Sequence, residues 1–329
     1  MRVLVTGGGG FLGRAIVERL LARGDSVRSF SRGEYPELAA AGVEVRRGDI
    51  ADAGAVARAC QGCDAVFHVA GRPGISGPYA RYYGPNVLGT QNVISACRTH
   101  GVRKLVFTSS ASVVFDGTDM EGVNEATPYP ARFDAPYPRS KAAAEQMVLA
   151  ANGPDLATVS LRPHLIWGPR DTQLLPAIVS RAGSLRKIGG ADKKVDCTYI
   201  DDAADAHLLA CDRLSLSSPV AGKAYFISQG EPRCVWDLVN GILGAAGYPP
   251  VTRRIPRLVA QVAGGCMEWS YRLLRIEREP PLSLFMVREL STAHWFDISA
   301  ARQDLDFSPR VSIDEGFRRL AEWLRSSPI

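Results

Sequence analysis

The chain has 329 residues, of which 46% are hydrophobic, enough to bury a large core as one α/β domain with an attached lobe or as two domains. With 39 basic and 34 acidic residues the net charge of +5 is small, and the scattered arginines argue against a nucleic-acid partner. Seven cysteines make an odd number, strand-like sequence starts at Arg2, and no run reaches the ~18 apolar residues of a membrane span; reduced thiols and a cytoplasmic location are expected.

Arg2 to Thr6 reads as a short apolar strand. Four glycines follow, and Phe11 to Arg23 then shows helical spacing at Leu12, Ile16 and Leu20 before Gly24. Gly7, Gly10 and Gly13 form G-x-x-G-x-x-G between strand and helix. Gly7 permits the tight turn, Gly10 lets a pyrophosphate approach bare backbone, and Gly13 lets the helix pack on the sheet. Phe11 and Leu12 open the helix, whose N-terminus faces the negative charge. A dinucleotide site is the expectation.

Val27 to Ser31 reads as the second strand. A residue about 20 positions on from the glycine turn usually distinguishes the two nicotinamide dinucleotides, an acid there holding a ribose 2′-hydroxyl. Here the strand ends in Ser31-Arg32, without an acid and with a guanidinium that suits a 2′-phosphate. NADP(H) is therefore favoured, with NAD(H) left open. Val43 to Arg46 is the third strand. Asp49 and Ile50 follow, placed toward the adenine, although Asp49 also suits an N-cap for a helix over 51–60. Cys60-Gln-Gly-Cys63 lacks a second pair and reads as helix end, turn and strand start.

Ala65 to Val69 is the fourth strand, with Ala70 next to the cofactor. Asn86 precedes a helix over 87–100, as a residue that orders water or backbone or as a buried amide. Leu105 to Thr108 is the fifth strand. Its end, Ser109-Ser110, can hold a substrate oxygen in the cleft. A helix over 138–151 carries Tyr137 at its start and Lys141 four residues on, on one face. A nearby ammonium and the helix dipole both favour phenolate, so Tyr137 can exchange a proton near neutral pH. Lys141 also suits the cofactor's ribose. Val159 to Leu161 is the sixth strand, leading to Pro163 and His164.

Strands alternating with helices predict a Rossmann-type, doubly wound parallel sheet over 1–165 that binds NADP(H). Residues 166–329 are broken by prolines and predict mainly a smaller substrate-binding lobe. Strands over 195–200 and 224–227, with a helix over 202–213 between them, partly rejoin the sheet. From Ile255 to Leu290, Leu258, Val262, Met267, Trp269, Leu273, Leu274 and Phe285 stand among arginines. An apolar lid over a lipid is the first reading, ahead of packing core and of peripheral membrane contact.

Thr6 to Gly13, Asp49, Asn86, Ser110, Tyr137 and Lys141 stand in the order and spacing of the extended short-chain dehydrogenase/reductase superfamily, which the chain resembles over essentially its whole length. That resemblance implies Ser110, Tyr137 and Lys141 as the catalytic group, with Pro163 and His164 lining the nicotinamide side. Within it, the chain resembles the 3β-hydroxysteroid dehydrogenase family. Thr108 to Gly117 and Leu161 to Asp171 are similar to sterol-4α-carboxylate 3-dehydrogenases. Ser31 to Leu38, Ala221 to Ser228, Pro280 to Leu282 and Ala293 to Phe296 are similar to bacterial 2-alkyl-3-oxoalkanoate reductases. Both imply hydride exchange between a hydroxyl and a ketone on a large apolar lipid, with the sterol reading first and a long-chain β-keto acid second. A homodimer is the expected assembly. Other classes are a non-catalytic NADP(H)-sensing regulator, against which the complete Ser-Tyr-Lys group argues, and a sugar-nucleotide epimerase, against which the apolar lobe argues.

Overall fold

Strand β1 (Arg2–Thr6) is packed from both sides: Val3 and Val5 join one apolar cluster, Leu4 the opposite one, and all three are fully buried. Beside it lie β2 (Ser26–Ser31), β3 (Glu44–Arg47), β4 (Ala65–His68), β5 (Lys104–Thr108), β6 (Ala157–Pro163) and β7 (Lys223–Ile227). The spatial order is β7-β6-β5-β4-β1-β2-β3, with every neighbouring pair parallel. This computed structural model describes all residues except 75, 191–192, 275, 277–279 and 327–329.

Helices cover both faces. On one, Ile16 and Leu20 of α1 (Phe11–Ala22) and, further along the chain, Ala203 and Ala210 of a helix over Ile200–Arg213 close over Val3, Val5, Phe67 and Val106. On the other, α2 (Ala53–Cys60), α3 (Gly89–Thr99) and α4 (Pro136–Ala150) bring Val56, Cys60, Val93, Cys97 and Val148 onto Leu4, Val66, Leu105 and Phe107. The strand order reverses between β1 and β4, which opens a crevice at the carboxyl ends of the strands.

Several boundaries differ from expectation for local reasons. The second helix starts at Ala53, because the Asp52 carboxylate accepts the Ala55 amide at 3.0 Å and caps it there. Asp49 only closes a turn, on the Ala51 amide at 2.9 Å. Helix α4 starts at Pro136, two residues early, so Tyr137 lies in its first turn, where proline is well suited.

After β6 the chain builds short pieces. The helix over Ile200–Arg213, α5, and then β7 rejoin the sheet, while the predicted strand over 195–200 divides into Lys194–Val195 and Thr198–Tyr199. The lobe sheet runs Arg233–Cys234, Lys194–Val195, His294–Phe296, Met120–Val123, so its last strand comes from the first half of the chain. Two lobe helices are α6 (Arg257–Leu273) and α7 (Leu284–Glu289). Among the described residues no helix is long and apolar enough to cross a membrane.

The lid expectation needs correction. Helix α6 rests on the lobe through Ala260 and Gly264, and a Cβ at Gly264 would lie 3.2 Å from the Ser283 backbone. The large side chains therefore point outward: Leu258, Trp269, Leu273 and Leu274 are 63–71% exposed. Only Phe285 turns in, edge-on to Phe115 at 5.9 Å.

Candidate active site

The glycine turn has the geometry that a pyrophosphate requires. Gly7 has φ +72°, and a Cβ there would lie 2.9 Å from the Ala70 amide nitrogen. A Cβ at Gly13 would collide with the Gly7 carbonyl oxygen. Gly10 is the N-cap of α1 and no side chain caps the helix, nor does its first turn carry an acid. The amides of the first turn, in Phe11, Leu12 and Gly13, are left to an anion. Beneath the turn, Thr6 Oγ1 accepts the Ala70 amide at 3.1 Å and meets His68 Nδ1 at 2.8 Å. Ile50 is buried against Gly89.

Arg32, Arg47, Gly48 and Asp49 line a shallow pocket at the ends of β2 and β3. Arg32 is exposed, and Ser31 keeps a buried hydroxyl without a partner. Arg47 donates to the Arg32 carbonyl at 3.0 Å and pairs with Glu34 at 2.8 Å. A second guanidinium thus stands beside Arg32. Arg46-Arg47 was visible in the sequence, but its approach to Arg32 depends on the β2–β3 register, in which Ser31 lies opposite Arg47.

The reactive group stands at the carboxyl ends of β5 and β6. Ser110 caps a short 3₁₀ turn, Ala111–Val114, with its Oγ 2.9 Å from Ser112 Oγ. The neighbouring Ser109 is buried, its amide held by the Leu161 carbonyl at 2.6 Å. Tyr137 is half-buried, and burial raises its pKa while a hydrogen bond from Ser110 opposes that shift. Lys141 is buried, with its Nζ 2.5 Å from the Thr108 carbonyl and 4.1 Å from the centre of the Phe107 ring. Burial pushes its pKa down to about 7, with Glu145 opposing. The Lys141 amine is thus docked on backbone, and of the two residues it is Ser110 that bears on the phenol's proton affinity. A Cβ on Gly71 would lie 3.9 Å from Lys141 Nζ, so bare backbone flanks the amine.

The chain aligns with a model of the 3-beta hydroxysteroid dehydrogenase/isomerase family over residues 4–257. It is 50% identical over 324 residues to a 2-alkyl-3-oxoalkanoate reductase of Stenotrophomonas maltophilia, covering 97% of this chain and 98% of that one. It is 34% identical over 334 residues to the human decarboxylating sterol-4-alpha-carboxylate 3-dehydrogenase, covering 98% and 88%. The chain belongs to the 3-beta hydroxysteroid dehydrogenase/isomerase family. Its fold matches the crystal structure of gox2253 with a TM-score of 0.80 at 26% identity, covering 99% and 98% of the two chains. A Thermus thermophilus UDP-glucose 4-epimerase in complex with NAD gives 0.75 at 27%, covering 99% and 100%. This family member is a nicotinamide-dependent oxidoreductase that interconverts alcohol and ketone.

One support of the family's reactive helix escaped the sequence reading. Glu145 lies one turn beyond Lys141 on the same face of α4, fully buried. It accepts from Arg162 at 2.8 Å, Ser160 at 2.7 Å and Tyr129 at 2.7 Å. Its i+8 spacing from Tyr137 was the available signal, but the partner on β6 was not visible. Asn86 is buried and joins both readings made of it. Its side chain accepts the Arg72 amide at 2.6 Å and donates to Ser140 Oγ at 2.8 Å, fastening the loop after β4 to α4. Pro163 ends β6, and the His164 ring turns into the lobe, 5.1 Å from Phe296 and 5.7 Å from His294.

Proposed function

We propose that the chain reduces the 3-keto group of a 2-alkyl-3-oxoalkanoate, a β-keto acid with a long apolar body, using NADPH. The observation that carries this is the group of Ser110, Tyr137 and buried Lys141 at one sheet edge, in a chain half identical over its full length to a 2-alkyl-3-oxoalkanoate reductase. The sterol substrate, first on sequence features, stands second, because the identity to the sterol enzyme is 34%.

Ser110 Oγ and the Tyr137 hydroxyl hold the substrate's ketone oxygen. When bound, reduced nicotinamide supplies a hydride to the ketone carbon. Tyr137 gives its proton to the oxygen as the carbonyl bond opens, so a secondary alcohol forms and the phenolate is left. Ser110 and the dipole of α4 stabilise that phenolate. Lys141 holds the Thr108 end of β5 and faces the bare backbone of Gly71, where a ribose fits.

Arg32 and Arg47 in the pocket with Asp49 favour a 2′-phosphate, hence NADPH. The exposed apolar side of α6, bordered by Arg253, Arg257 and Arg272, suits contact with an anionic lipid surface from which a water-insoluble substrate could be drawn. Absorbance at 340 nm with NADPH or NADH, run against a panel of 2-alkyl-3-oxo acids and a panel of 3-oxo sterol acids, tests the proposal. Faster turnover of the sterol panel would overturn it.

A further inference from the structure

Three groups able to act as ligands meet where the lobe touches the sheet: His164 just past β6, Glu289 at the end of α7, and His294 in the lobe sheet. One ligand atom from each lies within 4.8 Å of the other two. The hydrogen bonds around them fix which nitrogens are bare. His164 Nδ1 is 2.6 Å from the Asp196 carbonyl, which can only accept, so Nδ1 carries the proton and Nε2 a lone pair. Thr292 Oγ1 gives its proton to the Arg288 carbonyl at 2.8 Å. It must then accept from His294 Nε2 at 2.7 Å, which leaves His294 Nδ1 as a lone pair. That nitrogen is fully buried and without a partner. Among the described residues no hydrogen bond or ion pair reaches the Glu289 carboxyl.

Two imidazole lone pairs and a carboxyl therefore face one another. A buried acceptor left without a donor, as His294 Nδ1 is, is costly. Neutral imidazoles and a carboxylate are the donor set of a three-residue transition-metal site. Each imidazole already has the outer hydrogen bond that orients metal-binding histidines.

We propose that His164, Glu289 and His294 bind one divalent transition-metal ion of the zinc class, clamping the lobe segment 284–296 to the end of β6. Tetrahedral ligation at ~2.0–2.1 Å needs ligand atoms ~3.4 Å apart, so the three side chains draw together by about an ångström on binding. The ion sits behind Phe115, whose ring lies 5.1 Å from the His294 ring, and Phe115 follows the turn that Ser110 caps. It acts as a positioning site for the cleft wall, independent of which lipid is the substrate.

The test uses tag-free full-length protein, stripped with chelator and titrated with Co²⁺. One equivalent should bind, with visible d–d bands and no near-ultraviolet sulfur-to-metal charge transfer. Glu289→Gln, which keeps the shape, should weaken binding by at least ~10-fold, and His294→Asn more. Zn²⁺ should raise the Tm of the wild type but not of Glu289→Gln. Should His294→Asn fail to fold, Thr292→Val, which frees the His294 ring, should weaken binding in its place. Absence of one-equivalent uptake, a thiolate band, or unchanged affinity in Glu289→Gln would each overturn the proposal.

Discussion

The sheet and the lobe of this molecule use apolar residues in opposite ways. In the sheet, alternate residues of β1, β4 and β5 face helices on both sides, and nearly every large side chain is buried. In the lobe, α6 makes its contact through Ala260 and Gly264 and turns its large residues outward. The amino-acid composition of the two regions is similar; the partner available to each face is what differs. A strand in a parallel sheet has helices on both faces. A helix packed by its small residues leaves a second, unpartnered face whose role lies outside the fold.

The largest effect should come from the sheet's catalytic edge. Tyr137→Phe should retain cofactor binding, read by fluorescence titration, and lose ~10²–10⁴-fold in kcat. Near-normal turnover would remove Tyr137 from the chemistry and leave the sheet edge as scaffold only.

Second is the attachment of α4 to β6. Glu145→Ala leaves Arg162 buried and uncompensated, and should cost about 3–5 kcal/mol of stability in denaturant titration. A small loss would mean that the helix is held by packing alone.

The two regions also differed in legibility. Strand and helix order over 1–165 followed from short apolar runs, helical spacing and glycine punctuation; spacing put Tyr137 and Lys141 on one helix face, and the family resemblance singled out Ser110. Glu145, Arg47 and Gly71 were missed because their partners lie on other strands and helices, which periodicity cannot pair. In the lobe, two-residue strands such as Lys194–Val195 are too short to show a period. The apolar content of α6 was misassigned to a lid for another reason: amphipathic spacing reports that a face exists, and not whether that face is covered.

Third is a pH signature of Lys141. Its pKa falls from 10.5 to about 7 on folding, mainly through burial. Between those values the unfolded chain holds a proton that the folded one lacks, so this group's contribution to stability rises with pH across that window. Its cost is fully present below pH 7. Lys141→Met loses the bond to the Thr108 carbonyl at every pH, a constant offset. Relative to that offset, the variant should gain up to a few kcal/mol on going from pH 10.5 down to 7. A pH-independent difference between the two proteins, measured by urea titration, would show that the amine keeps its ordinary pKa.

The smallest effect on stability belongs to the lobe surface. Trp269 and Leu273 are 66% and 63% exposed, so Trp269→Ser with Leu273→Ser removes little packing. Exposed substitutions of this kind usually stay within about ±0.5 kcal/mol each. If the face meets lipid, the same pair should abolish co-sedimentation with vesicles rich in phosphatidylglycerol, since both apolar anchors are gone while the arginines remain. Turnover of a short, soluble β-keto ester should be untouched, and only that of substrate delivered in vesicles should fall. If the face pairs with a second copy instead, the double variant would shift the sedimentation coefficient without lipid present. A fall of several kcal/mol in stability would contradict both, because it would place these side chains in a packed core and erase the difference between the sheet and the lobe.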